Sequence, residues 1–230
     1  MPRPALSADD AGLARIALAT GLALLLLLLG WEATGLDLAA SRLFADAGGF
    51  VWREHWVTAR LVHDGGRWLS ALVVLALLAG LAWPAAPGRT GPRRPERAFW
   101  LFVVLLCLVL VPALKRYSHT SCPWDLAEFG GRVPYVPHWR AGLHDGGPGH
   151  CFPSGHAVSA FAFLPQYFLW RTHDRRRAGI WLVVVVLLGF VFGAAQLARG
   201  AHFVSHTLWS GWLCWTTGLL ATRLAPTSAR

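Results

Sequence analysis

Charge is what this sequence has little of. Asp, Glu, Lys and Arg make up 14% of its 230 residues, where a soluble domain carries about 25%. With 55% hydrophobic residues beside that deficit, an ordinary water-soluble fold is excluded and a membrane protein is expected. The apolar runs also lack the apolar–polar alternation of barrel strands. Backbone groups in lipid must then pair within their own segment, which requires helices. An internal repeat and a low-complexity tail are both missing. The turns leading into the third and fifth apolar runs, ERAFW and RRAGIW, are short, so residues 1–230 read as a single membrane domain.

Six runs approach the roughly 18–20 apolar residues of a spanning helix: 13–31, 67–84, 98–114, 154–170, 179–198 and 206–222. The expected fold is all-α and polytopic, with six transmembrane helices. The first run lacks a clear small-x-small cleavage site and follows a polar start, so it reads as a signal anchor.

Acidic residues are scarcer than basic ones, 12 against 21, for a net charge of +9. The surplus gathers in two links, one with Arg89, Arg93, Arg94 and Arg97, the other with Arg171, Arg175, Arg176 and Arg177. The positive-inside rule places both links and both termini in the cytoplasm. Anionic lipid at the inner surface accounts for the charge, and no nucleic-acid partner is implied. Segments 32–66, 115–153 and 199–205 then lie outside. The first mixes charges with apolar residues at helical spacing and reads as an amphipathic segment on the outer interface. The second is a long loop dense in Gly, Pro, His and Trp, the kind of loop that usually carries function.

Lys115, His156 and His202 fall on this one side, with few carboxylates to oppose them. Cations and helix N-termini without counter-charge suit an anion. His202 and His206 at i, i+4, with His119, His138, His144 and His150 nearby, leave a metal-binding module as an alternative. Cys107 and Cys214 fall inside apolar runs and read as small core hydrophobes. Cys122 and Cys151 bracket the outer loop; in an oxidising compartment they are a possible disulfide, with two free thiols as the other reading. The many Trp residues read as an interfacial belt, with Trp124 and Trp139 placed to meet a substrate.

The motifs resemble those of the type 2 phosphatidic acid phosphatase superfamily, which membrane lipid phosphatases share with vanadium haloperoxidases. The family pattern is Lys-x6-Arg-Pro, Pro-Ser-Gly-His and Ser-Arg-x5-His-x3-Asp. Here Pro153-Ser154-Gly155-His156 is intact, and the resemblance spans about residues 67–224. The first motif has Lys115 and Pro123 but Cys122 for Arg; the third has His202, with Gln196 for Arg and His206 for Asp. Arg199, three residues past Gln196, shares its helix face. The resemblance implies an extracytoplasmic active-site loop. Lys115, Ser154, Gly155 and Arg199 would hold the substrate phosphate. His202 would be the nucleophile that forms a phosphohistidine, His156 the general acid and base, and His206 the orienter of His202. No cofactor or metal is called for. The expected activity is hydrolysis of a phosphomonoester or diphosphate of a lipid: isoprenyl diphosphate, phosphatidylglycerol phosphate, phosphatidic acid or lipid A. The expected place is a bacterial inner membrane with the site on the periplasmic face. A phosphotransferase using the same intermediate, and a non-catalytic descendant, are the alternatives.

Overall fold

The computed structural model describes residues 8–46, 48–82, 91–140 and 142–226. Arg89 of the first basic link lies outside the described residues. Helix α1 (Ala8–Thr34) is followed by short α2 (Leu36–Arg42) and a two-stranded hairpin, β1 (Ala45–Asp46) against β2 (Gly49–Phe50). A π-helical stretch, Val57–Asp64, runs directly into α3 (Gly65–Ala82). The others are α4 (Arg94–Arg116), α5 (Val158–Phe161), α6 (Pro165–Trp170), α7 (Arg175–Ala198) and α8 (Val204–Ala221).

Among the described residues four helices are long and apolar enough to cross a membrane: Ala14–Thr34, Val57–Ala82, Arg94–Arg116 and Arg175–Ala198. Two sequence expectations change. The helix expected from residue 67 starts at Val57, so much of the expected interfacial segment belongs to a long helix. The run 154–170 is not one helix but a turn followed by α5 and α6. Pro165 explains the second break: it cannot donate the backbone bond that a continuing helix needs, but it is well suited to a new first turn.

Helices α4 and α7 each begin at a local cap. Arg93 N–H donates to Glu96 Oε2 at 2.8 Å, and Arg177 N–H donates to Asp174 Oδ1 at 3.0 Å, which satisfies donors with no intrahelical partner. Both starts are basic, and both helices run to the pocket described below. With 23 and 24 residues at about 1.5 Å each, they cover roughly 35 Å, the thickness of a hydrocarbon core.

The interior forms around α8. Trp100, Val104, Cys107 and Val111 of α4 join Phe161, Phe168 and Trp215 in one buried cluster. Gly189 and Gly193, one turn apart on α7, let neighbours in: a Cβ would stand 2.2 Å from the Phe161 ring and 2.4 Å from Thr207. Such small-residue rows bring membrane helices into contact where no hydrophobic drive exists between them. Helix α1 is held to α8 by indole N–H bonds, Trp215 to the Ala17 carbonyl at 3.1 Å and Trp212 to that of Gly21 at 3.0 Å. A smaller cluster of Phe50, Leu126, Phe129, Val133 and Phe203 packs the 123–133 turns and the hairpin over the same end of the bundle.

Candidate active site

The last turn of α4 brings Lys115 against the 153–157 turn. A Cβ on Gly155 would meet Lys115 Cδ at 3.4 Å and Nζ at 3.8 Å, so the first two motifs touch although 40 residues separate them in the chain. The segment 199–203, between α7 and α8, closes the pocket from the other side. Lys115, Gly155, His156, Gln196, Arg199 and His202 all line one cavity of about 390 Å³.

The structure sets other expected residues apart. Ser154 is fully buried and outside the cavity lining. Its N–H donates to the His206 carbonyl at 3.1 Å, and its carbonyl accepts from Ser210 Oγ at 2.9 Å. That N–H has no capacity for a phosphate; Ser154 instead ties the turn to α8. The helix proper begins only at Val158, so any backbone contact comes from the turn rather than a helix N-terminus. Arg116 is exposed beside exposed Tyr117 at the end of α4 and outside the cavity lining. Trp124 lines the cavity under the Arg53 guanidinium, 4.5 Å from its ring, whereas Trp139 is exposed and outside the cavity.

His202 is 3% exposed. Burial, with Lys115 second, pushes its pKa well below the usual 6.5, so the ring is neutral at neutral pH. Its Nδ1 lies 3.5 Å from His206 Nδ1 and 3.7 Å from Cys151 Sγ, which leaves Nε2 for chemistry. His206 is buried in α8 outside the cavity lining, its ring 5.7 Å from His138, whose Nε2 stands 3.1 Å from Glu32 Oε1. Among the described residues Cys151, His202 and His206 are the one group spaced to ligate a metal. Cys151 is bonded to Cys122, Sγ to Sγ 2.11 Å, so its sulfur is not a thiolate, and thiolate is the form that binds metal. The four other histidines do not join this set.

Three contributors escape a motif-based reading. Arg67, in the first turn of α3, and His63, at the end of the π-helical stretch, both line the cavity. Gln196, which also lines the cavity, is buried with no hydrogen-bond partner for its Nε2 among the described residues. The third is Asp37 of α2. Its carboxylate accepts from the Ser205 N–H at 3.0 Å, from Ser205 Oγ, and from the Trp31 indole at 2.8 Å. Ser205 follows the first residue of α8, whose N-cap, Phe203, has no side-chain acceptor. Asp37 is therefore a cap supplied from 168 residues away, at the start of the helix that follows His202. Asp37→Ala strands two buried donors and is expected to cost about 2–3 kcal/mol, read as a lower unfolding temperature in detergent, with Asp37→Asn losing less.

With this geometry in view, comparison with known proteins is direct. The family model of the PAP2 superfamily matches residues 97–230. The chain belongs to the PAP2 superfamily. Its fold is similar to that of a transmembrane PAP2-type phosphatidylglycerolphosphate phosphatase from Bacillus subtilis, with a TM-score of 0.55 and 17% identity over 90% of this chain and 94% of that one. No curated protein matches it in sequence. In this PAP2 chain the altered motif positions have distinct surroundings. Cys122 is held in a disulfide, the Gln196 Nε2 has no hydrogen-bond partner among the described residues, and the His206 ring stands edge-on to that of His202. Arg67 brings a cation to the pocket from a helix outside the three motifs.

Proposed function

We propose that this protein is an integral-membrane lipid phosphatase working through a phosphohistidine on His202. The observation that carries the reading is the shape and charge of the cavity. Lys115, Arg67 and Arg199 line it, with no carboxylate among its described lining residues. At Arg67 and Ser159 it meets a second cavity of about 460 Å³, lined otherwise by side chains such as Ala71, Val74, Leu75, Leu105 and Leu108. A cationic head pocket continuous with an apolar groove between α3 and α4 fits an amphiphile with an anionic head and a hydrocarbon tail.

In this reading Lys115, Arg199 and Arg67 neutralise the phosphoryl oxygens, and Gln196 Nε2 donates to one of them. Gly155 lets backbone approach the phosphate closely. His202 attacks phosphorus in line, an imidazole of the pocket protonates the leaving oxygen, and water then cleaves the P–N bond. The resemblance gives that proton to His156. Charge neutralisation by three cations leaves no step that requires a metal. The chain would cross a bacterial inner membrane six times, α5–α6 and α8 included, with both basic helix starts inside and the pocket outside.

The test is phosphate release in detergent micelles from a panel: an isoprenyl diphosphate, phosphatidylglycerol phosphate, phosphatidic acid and lipid A, each with and without EDTA. Release that survives EDTA supports the reading, and its loss transfers the chemistry to a metal at His202 and His206. Adding an acceptor lipid separates transfer from hydrolysis: phosphorylated acceptor in place of free phosphate makes the protein a phosphotransferase. Arg67→Leu is expected to lower kcat/KM by about 10- to 100-fold, the worth of one charge-assisted hydrogen bond, with Arg67→Lys recovering part. An unchanged kcat/KM removes Arg67 from the phosphate site.

A further inference from the structure

Two residues line both the head pocket and the apolar groove: Arg67 of α3 and Ser159 of α5. Lys115, Arg199 and His202 line the head pocket alone. The reacting phosphoryl group must sit against His202, and the Lys115 side chain lies against Gly155 in the same pocket. Arg199 is tied to the chain before the π-helical stretch, its Nε donating to the Arg53 carbonyl at 2.9 Å. Arg67 stands apart from these two cations, where the head pocket gives way to the tail groove. Among the described residues no carboxylate forms an ion pair with it. It also falls within the apolar span Val57–Ala82, where a charge is costly and marks the path of a ligand.

The order of groups along a lipid gives this position a meaning. With a single phosphate, the atoms between the reacting phosphorus and the tail are an ester oxygen and carbon, which offer Arg67 no charge. With two phosphates in line, the inner one falls at this junction. We propose that Arg67 and Ser159 form a subsite for an inner phosphate, and that the substrates are lipids carrying a second phosphate between the reacting phosphoryl group and the tail. The proposal rests on the phosphatase reading and narrows the part that Arg67 plays in it. An isoprenyl diphosphate and phosphatidylglycerol phosphate both meet the requirement; phosphatidic acid does not.

The subsite acts on the leaving group. The His202 Nε2 lone pair forms a bond to the outer phosphorus, and the bond from that phosphorus to the oxygen on the tail side breaks. The bonding pair stays on that oxygen, which takes the proton that the resemblance assigns to His156. In a diphosphate this oxygen becomes part of the inner phosphate, whose negative charge grows as the bond breaks. Arg67 and the Ser159 hydroxyl then meet the charge where it develops, and the guanidinium holds its own proton throughout. Water attacks the outer phosphorus next and returns a proton to the same imidazole. The N–P pair goes back to His202, inorganic phosphate is released, and the lipid keeps its inner phosphate.

Matched pairs of lipids test this: farnesyl diphosphate against farnesyl monophosphate, and phosphatidylglycerol phosphate against phosphatidic acid with the same acyl chains. Variant and wild type are compared on each lipid, since a phosphate leaves more easily than an alkoxide whatever Arg67 does. Arg67→Leu is expected to lower kcat/KM by about 10- to 100-fold on the two-phosphate member of at least one pair, and by less than about 3-fold on its single-phosphate partner. Ser159→Ala should show the same selectivity with a loss of about 3- to 10-fold. Retained turnover of the single-phosphate partner, or an unchanged unfolding temperature, shows that a variant is folded. Selectivity in the first pair alone identifies a diphosphate subsite, in the second alone a phosphodiester subsite, and in both a subsite that takes either. Equal losses on both members in both variants, or no loss in either, overturn the proposal. Wild-type release from the single-phosphate lipids alone also overturns it and leaves the phosphatase reading standing. If wild type releases phosphate from none of the four, that reading falls first, and this assignment with it.

Discussion

His202→Ala is expected to release phosphate from the best lipid of the panel at least about 10³-fold more slowly than wild type. Removing a covalent nucleophile forces water to attack directly, in a pocket built to keep the attacking group fixed, and losses of this order or larger follow in other enzymes. The expected size rests on how fully the residue is committed. The ring is almost wholly buried, one nitrogen faces His206 and Cys151, and burial with Lys115 nearby keeps it unprotonated. An imidazole held neutral is a nucleophile already; no base need remove a proton first. The pH dependence follows with a definite sign. Because the pKa lies well below 6.5, acid inactivates His202 only below the range of an ordinary histidine, and activity at pH 6 should show no loss from this group. Rapid quenching with base should trap phosphate on wild-type protein, since a phosphohistidine survives alkali, and none on His202→Ala. A variant that keeps more than a tenth of wild-type release would remove His202 from the nucleophile position. His206→Ala should lose less, because its ring lies behind the nucleophile and outside the cavity.

What could be read in the sequence was whatever repeats locally. Long apolar runs announce helices because every residue of the run contributes, and α1, α4 and α7 lie close to where composition puts them. The start of the helix at Val57 was hidden because Thr58, Arg60, His63 and Asp64 interrupt its apolar character. Of these, His63 lines the pocket, Asp64 lies against its Nδ1 and Arg60 holds Asp64, so residues that obscured the helix also contribute to the site. The Pro-Ser-Gly-His motif signalled a polar turn, yet no local pattern could tell that the Ser154 N–H is taken by the carbonyl of His206, on another helix. Asp37 and Arg67 were equally silent. Each is an ordinary charge near the end of an apolar run, and each acquires meaning only from partners on α8 or α4. Local periodicity reports what a segment buries; it does not report what a side chain meets across the bundle.

The disulfide was the long-range feature most open to inference, and its removal carries the second large effect. Cys122 and Cys151 close a loop of 29 positions, which by chain entropy stabilises the fold by about 3–4 kcal/mol. The double variant Cys122→Ala/Cys151→Ala, or wild type treated with a thiol reductant, is expected to unfold at a markedly lower temperature. Activity well below that transition should fall much less, by under about 10-fold. The ground for separating the two effects is that the bridge does not act alone. His150 N–H donates to the Ser118 carbonyl at 2.8 Å and Cys151 N–H to that of Thr120 at 3.0 Å, pairing the same two strands of loop. Asp145, buried, accepts from the Ser121 N–H at 2.7 Å and from Ser121 Oγ at 2.9 Å. The Trp124 N–H reaches the Gly200 carbonyl at 2.9 Å, which fastens this loop to the segment carrying His202. These bonds hold Lys115, the 153–157 turn and His202 in register while the protein is folded; the disulfide chiefly limits what the chain can do when it is not. Should activity collapse at temperatures where the double variant remains folded, the covalent link itself positions the site, and Cys122 in place of the motif arginine would be a functional exchange rather than a structural one.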